Sequence, residues 1–299
     1  MSQNRPSWDA RAWGARAVVL FKLRVVALLL VVAVGGAVLA AEPWLNHGRA
    51  WPDLAVLLLA GLLAAGGASA LNEVWERDLD RAMERTQQRP LPRGDIPAAL
   101  AALLGTGALG LGLLLAAWHR PQLGWAVAAG ALIYLVVYTW ALKRRTIVNI
   151  VIGGAAGSAA VISGAAAVGH WDNPAAWALA ALVFLWTPTH FWSLALVYRE
   201  DYHRAGFPML PVRVPAAHAV RWVALHTVAS VLVALLMAAW PRLGLAYALL
   251  VAPPSVYYLY QTWRLWRWPT APEAKRLFHF SNVYLAWVTL AAVLTALPG

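Results

Sequence analysis

The chain has 299 residues, of which 61% are hydrophobic and only 12% are charged, a composition that excludes an ordinary soluble domain and indicates a membrane protein. The absence of cysteine excludes thiolate catalysis, disulfides and cysteine-ligated zinc. The net charge of +11 is typical of membrane proteins that collect basic residues on their cytoplasmic side, so we expect no nucleic-acid partner.

Apolar blocks of about twenty residues, the length that a helix needs to cross a bilayer, follow one another along the chain. They predict an all-α integral membrane protein with a bundle of nine transmembrane helices. Glycines interrupt the fifth block, where such small residues allow close helix packing. No stretch between the blocks is long enough for a soluble domain, so we expect one polytopic membrane domain over residues 1–299. The blocks lie near residues 18–41, 54–74, 96–118, 122–142, 147–169, 175–197, 217–239, 243–262 and 278–297.

The distribution of lysine and arginine predicts the orientation. With the N-terminus in the cytoplasm and the C-terminus outside, all of the 24 basic residues except Arg49, Arg120 and Arg242 lie inside. The two long polar connections, at about 75–95 and 198–216, then both face the cytoplasm. We therefore expect the chemistry on that side.

The first of these connections continues an apolar block and is rich in acids. Asn72, Glu76 and Asp80 stand four residues apart and share one helix face, whereas Glu73 and Asp78 are expected to point elsewhere. Stacked carboxylates of this kind suit Mg²⁺, which binds one or two of them together with phosphate oxygens. The alternative is an exposed helix end whose acids pair with neighbouring arginines.

Basic residues and a second acidic pair complete the cytoplasmic candidates. Arg85 and Arg89 are able to contact phosphate through two hydrogen bonds each, although the positive-inside bias also explains single arginines here. Glu200 and Asp201 form the second acidic cluster, on the same side as the first. An ordinary charged loop is the alternative for this second segment.

Five stretches together resemble the superfamily of membrane-embedded, UbiA-type aromatic prenyltransferases, in its heme O synthase branch. Glu76 stands where many members have aspartate. The chain has Ala159 and Ala160 where members usually have a proline pair, and Thr189 where they have a second proline, changes that we expect to reshape the acceptor pocket. A fainter similarity occurs at 278–281. The stretches are residues 72–91, 138–146, 149–157, 184–192 and 201–211.

The resemblance implies transfer of a farnesyl group from farnesyl diphosphate to a vinyl group of heme b, with addition of water, to give heme O. It implies Mg²⁺ as cofactor and His190 as a heme-binding residue, for which an interhelical hydrogen bond is the alternative. The implied catalytic residues are Asn72, Glu76, Asp80 and Asp201, and Glu200 joins them as a metal ligand. The implied diphosphate-binding residues are Arg85, Arg89, Lys143, Arg144 and Arg145.

The implied surroundings are the lipid bilayer, with a heme A synthase or heme-copper oxidase as downstream partner. A missing Arg- and Ser-rich transit peptide favours the bacterial cytoplasmic membrane over the mitochondrial inner membrane. Two other functions stay open: a prenyltransferase with a quinone-precursor or chlorophyll-type acceptor, and a secondary transporter. Transporters bind their substrates near the bilayer midplane, whereas the acids here lie at cytoplasmic helix ends.

Overall fold

A computed structural model describes residues 10–41 and 50–297, and within these ranges every regular element is a helix. The all-α prediction is therefore confirmed for this part of the chain. The helices are α1 (Ala10–Leu20), α2 (Leu23–Ala40), α3 (Ala50–Arg81), α4 (Pro90–Arg93), α5 (Ala98–His119), α6 (Pro121–Leu132), α7 (Asn149–Gly153), α8 (Ala155–Ala167), α9 (Pro174–Val197), α10 (Arg199–Arg204), α11 (Leu210–Arg213), α12 (Ala216–Leu236), α13 (Gly244–Arg267) and α14 (Ala271–Ala296). A π-helical segment, Ile133–Leu142, continues α6, and a 3₁₀ turn, Met237–Ala239, ends α12.

Eight helical segments are long and apolar enough to cross a membrane, by length and composition alone. Helix α13 has 24 residues but is not among them, because tyrosine, tryptophan, Gln261 and Arg264 replace aliphatic residues in its C-terminal half. The count of nine crossings therefore stays a prediction. The eight segments are Leu23–Ala40, Trp51–Arg81, Ala98–His119, Pro121–Leu142, Asn149–Ala167, Pro174–Val197, Ala216–Ala239 and Ala271–Ala296.

The first predicted span is shorter than expected at its N-terminal end. Lys22 has φ 48° and ψ 44°, a left-handed conformation that separates α1 from α2. The block predicted at 18–41 is therefore a boundary between two helices followed by a span from Leu23. Leu20, at the end of α1, is fully buried in a small apolar cluster with Leu91 of α4.

Helix α3 is longer than its predicted span of 54–74. Its 32 residues measure about 48 Å, whereas the hydrocarbon core is about 30 Å thick. The predicted connection at 75–95 is consequently helical as far as Arg81, and this projecting end carries Glu76 and Asp80. The predicted connection at 198–216 likewise contains the short helices α10 and α11.

Helix α2 packs closely against α8, in the glycine-rich fifth block. A Cβ atom on Gly164 would overlap the carbonyl of Ala33, and one on Gly36 would overlap the carbonyl of Val161. Only glycine permits this backbone approach, as expected for small residues in a membrane bundle. Helix α14 completes the packing around the core, since it contacts α2, α9 and α13.

Two arginines bind helix ends on the side of the bundle opposite Glu76 and Asp80. Arg242 donates hydrogen bonds to the carbonyls of Ala41 and Ala296, each at 2.7 Å, at the C-terminal ends of α2 and α14. Arg120 donates to the carbonyl of Ala167 at 2.8 Å, at the end of α8. Both are among the three arginines predicted to lie outside; the third, Arg49, lies outside the described residues.

Candidate functional site

The projecting end of α3 carries four buried polar side chains. Asn72, Glu76 and Asp80 are 2%, 3% and 4% exposed, so the predicted face points into the protein. Glu73 is 1% exposed, which corrects the expectation that it points away from this face. Asp78 does point elsewhere, since its side chain is 76% exposed. The alternative of a solvated helix end therefore does not describe these four residues.

Lys143 pairs with the middle of this face. Its ammonium lies 2.6 Å from Oε2 of Glu76, and both side chains are largely buried. The same ammonium lies 5.0 Å from the ring centroid of Phe207, in the second cytoplasmic connection, and 5.5 Å from that of Tyr138. Lys143 therefore joins α3, the π-helical segment and the connection that follows α10.

Lys22 contributes a second ammonium, which the sequence analysis did not identify. Its Nζ donates to Oδ1 of Asn72 at 2.6 Å and to the Tyr134 hydroxyl at 3.3 Å, while Nδ2 of Asn72 donates to Thr139 at 3.1 Å. Burial, and next the positive charge of Arg89, lower the pKa of Lys22 to about 8. An anion nearby would oppose this shift and stabilise the charged form of the lysine.

Arg89 supplies the third cation. One of its terminal nitrogens lies 2.8 Å from Oδ2 of Asp80 and 3.7 Å from Oε1 of Glu73. Burial alone would lower the pKa of Arg89, but the carboxylates of Asp80 and Glu73 outweigh it and raise the pKa. The Thr86 hydroxyl donates to the backbone carbonyl of Asp80 at 3.0 Å and so holds the turn between them.

The second acidic segment touches the first through Asp201. This buried carboxylate accepts a hydrogen bond from the backbone N–H of Arg85 at 3.2 Å and one from Arg204 at 2.5 Å. Arg204 also donates to Glu84 at 3.0 Å. Glu200, by contrast, is exposed on the first turn of α10. The structure thus brings Asp201, rather than Glu200, to the turn that follows Asp80.

The remaining predicted basic residues lie further out. The guanidinium of Arg85 lies over the rings of Tyr198 and Tyr202, at 5.7 and 5.9 Å. Arg144 and Arg145 are exposed, Arg144 near the Trp75 carbonyl and Arg145 over the Trp140 ring. Their expected contacts with diphosphate stay predictions.

The acid cluster fits a divalent cation that needs few protein ligands. Both carboxylate oxygens of Glu73 and Oε1 of Glu76 are buried without a hydrogen-bond partner in the described part of the chain, although buried polar atoms normally have one. Within residues 10–41 and 50–297, no group of three or more His, Asp or Glu side chains is arranged to hold a metal alone. Mg²⁺ suits such a site because it takes one or two carboxylates, waters and phosphate oxygens.

His190 lies away from the acids, between two aromatic rings on α9 and α14. Its ring stacks on Trp186 at 4.5 Å and on Phe278 at 4.6 Å between centroids. Its Nδ1 lies 2.8 Å from the Ser281 hydroxyl, so the interhelical hydrogen bond is present. Nε2 is the nitrogen that this contact leaves for a ligand, and heme binding stays a prediction.

Two residues of this site were missed for different reasons. Steps of four residues group only Asn72, Glu76 and Asp80. Glu73 stands three residues before Glu76 and seven before Asp80, and residues at these spacings also share a helix face. Lys22 entered the sequence analysis only as one of the basic residues whose distribution predicts the orientation. A lysine within an apolar block was the available indication, since ionisable groups at membrane depth are functional candidates.

The comparisons with known proteins agree on one family. Residues 28–294 match the model of the UbiA prenyltransferase family. The chain is 37% identical to a protoheme IX farnesyltransferase of Metallosphaera sedula, over 93% of this chain and 95% of that protein. It is 39% identical to a protoheme IX farnesyltransferase of Sulfolobus acidocaldarius, with the same coverage of both chains.

Solved structures share the fold at low sequence identity. A digeranylgeranylglyceryl phosphate synthase superposes with a TM-score of 0.76 at 17% identity, over 94% of this chain and 98% of that one. A UbiA homolog from Archaeoglobus fulgidus, bound to DMAPP and Mg²⁺, gives 0.63 at 17% identity, over 93% of this chain and 99% of that one. The family model and the relatives, which span nearly the whole chain, lead to one conclusion: this protein belongs to the UbiA prenyltransferase family.

Proposed function

We propose that the protein transfers the farnesyl group of farnesyl diphosphate to a vinyl group of heme b, with addition of water, and so makes heme O. The observation that carries this proposal is the identity of 37% to 39%, over 93% of the chain, to proteins named protoheme IX farnesyltransferase. The buried cluster of acids and cations at the end of α3 supports it, because an allylic diphosphate leaves only when its charge is neutralised.

The buried cations and the buried acids of this site have different roles. Lys22, Lys143 and Arg89 neutralise the diphosphate, while Asn72, Glu76 and Asp80, with Glu73 beside them, hold the metal. A bound Mg²⁺ would act as a Lewis acid that stabilises the negative charge of the departing diphosphate. Asp201 joins this set from the second segment. Arg85, Arg144 and Arg145 are further candidates for contact with the diphosphate, and Glu200 is a further candidate for contact with the metal.

The carbon chemistry follows from loss of the diphosphate. The C1–O bond of farnesyl diphosphate breaks, and the electron pair of the heme vinyl group forms a bond from its terminal carbon to C1. The cation left on the inner vinyl carbon is captured by water, which loses a proton, and a hydroxyethylfarnesyl group results. Stacked beside Trp186 and Phe278, His190 is our candidate for contact with the heme. An enclosed site delays water until this last step.

We infer nine crossings, with the N-terminus in the cytoplasm and the C-terminus outside. Arg242 contacts the C-terminal ends of both the first and the last apolar spans, so these two ends lie on one side of the bundle. When the first and last spans cross the membrane in the same direction, the total number of crossings is odd. The eight apolar spans therefore require one more crossing, which α13 provides. The polar connections 75–95 and 198–216 then face the cytoplasm, within one membrane domain over residues 1–299.

The proposed location is the cytoplasmic membrane of a bacterium, where a heme A synthase or heme-copper oxidase would use the product.

The test of the proposed function is an extraction of hemes from membranes that contain the protein, in a host that supplies farnesyl diphosphate, analysed by chromatography and mass spectrometry. A new heme with a hydroxyethylfarnesyl group, absent with Asp80→Ala, is expected. Heme b alone would refute the acceptor and favour a quinone precursor or chlorophyll-type acceptor. Vesicle uptake without any prenylated product would instead indicate a transporter.

A further inference from the structure

A second charged surface lies where α13 ends and α14 begins, apart from the acids of α3. Three tryptophans there, Trp263, Trp266 and Trp268, are 55%, 56% and 50% exposed. Arg267 and Lys275 are exposed beside them. We call these five residues, together with Arg276, the α13–α14 rim.

A buried carboxylate organises the arginines of this region. Glu273 is 8% exposed and accepts hydrogen bonds from Arg264 at 2.7 Å and from Arg276 at 2.6 Å. Arg264 also lies over the ring of Tyr260, at 5.9 Å. The two guanidiniums are therefore held in place before any ligand arrives, which reduces the entropy lost on binding.

The same region has unpaired polar atoms and an excess of positive charge. Oε2 of Glu273 and Nε of Arg264 are buried without a hydrogen-bond partner in the described part of the chain, so the polar groups of this region are not all satisfied from within it. Four cations and one carboxylate lie between residues 264 and 276. The N-terminus of α14 adds positive potential, because its N-cap, Thr270, makes no capping hydrogen bond with its side chain.

We propose that the α13–α14 rim binds the headgroup phosphate of an anionic phospholipid. A lipid fits better than a soluble anion because the tryptophans are large, exposed and amphipathic, and such rings lie at the level of the headgroups. Clusters of Lys and Arg at the end of a membrane helix add electrostatic attraction for anionic headgroups. Lys22, just before α2, contacts Asn72 near the end of α3, and Arg242 joins the C-terminal ends of α2 and α14. Helix α14 therefore begins, and α13 ends, at the end of the bundle that holds Glu76 and Asp80. The lipid therefore belongs to the leaflet on which the acid site opens.

The experiment uses the full chain in nanodiscs of phosphatidylcholine with increasing fractions of phosphatidylglycerol. Bound lipid is measured by native mass spectrometry, and the unfolding temperature is measured in the same discs. The test variant is Arg267→Gln/Lys275→Gln, which leaves the pairs of Glu273 intact. The matched control is Arg213→Gln/Arg221→Gln, which removes two exposed charges, one at the end of α11 and one in the second turn of α12.

We expect the protein to retain phosphatidylglycerol in preference to phosphatidylcholine and to unfold at higher temperature as its fraction rises. The test variant should weaken this preference about tenfold, since each basic residue near a headgroup contributes separately. The control should change it less than twofold. Equal losses in the two variants would mean diffuse charge attraction and overturn the proposal, as would equal retention of both lipids by the unmodified protein. Equal unfolding temperatures of all three proteins in pure phosphatidylcholine verify that the variants fold.

Discussion

Replacing Lys143 with methionine should destabilise the protein more than replacing both members of its ion pair with Glu76. The two charged atoms lie 2.6 Å apart, with side-chain exposures of 14% and 4%. At an effective dielectric constant of about 20, their attraction is about 6 kcal/mol, most of which offsets the cost of burying them. Lys143→Met leaves the Glu76 carboxylate buried without this partner, which costs about 3–5 kcal/mol.

The double variant Lys143→Met/Glu76→Gln removes both charges and should recover much of that loss. We expect a coupling energy of about 2 kcal/mol or more between the two sites. Unfolding titrations in detergent micelles would measure it, with farnesyl transfer assayed on the same samples. Transfer should be lost in Lys143→Met, in Glu76→Gln and in the double variant, because each lacks the cation, the carboxylate or both, and the double variant recovers only stability. Additive losses of stability would refute the ion pair, and transfer by the double variant would refute its role in the site.

Three further predictions concern the site and the bundle. Lys22→Met should raise the KM for farnesyl diphosphate about tenfold, measured by initial rates, with Lys22→Arg as the control that keeps the charge; an unchanged KM would exclude contact with the diphosphate. Glu73→Gln should raise the Mg²⁺ concentration that displaces half of the bound Mn²⁺, measured from the electron paramagnetic resonance signal of free Mn²⁺. Asp78→Asn, at an exposed position, should leave that concentration unchanged; equal responses of the two variants would remove Glu73 from the metal site. Gly164→Leu should lower the free energy of unfolding by about 3 kcal/mol or more, because the new side chain would overlap the α2 backbone. A free energy of unfolding equal to that of the unmodified protein would contradict this packing.

The sequence was sufficient for eight helices of membrane-spanning length and for the shared face of Asn72, Glu76 and Asp80, because both depend on the residue pattern along one helix. It was insufficient for Lys22, whose contact with Asn72 joins residues fifty positions apart. Contacts of this kind depend on how helices pack, and no local pattern reports them. The same reason explains why Asp201 is buried while its neighbour Glu200 is exposed. Asp201 contacts the backbone of Arg85 in the turn that follows α3, and the sequence does not show this contact.

The two hydrogen bonds of Arg242 have a consequence for synthesis. Ala41 and Ala296 are 255 positions apart in the chain, and one guanidinium joins them. At about 5–20 residues per second, the ribosome needs roughly 10–50 s to make the intervening chain. The first span therefore enters the bilayer long before its final neighbour exists, and its exposed flank must be covered meanwhile by lipid or by the insertion machinery. Removing Ala296 and the residues after it would take away one of the two carbonyls that Arg242 joins, where α14 packs against α2.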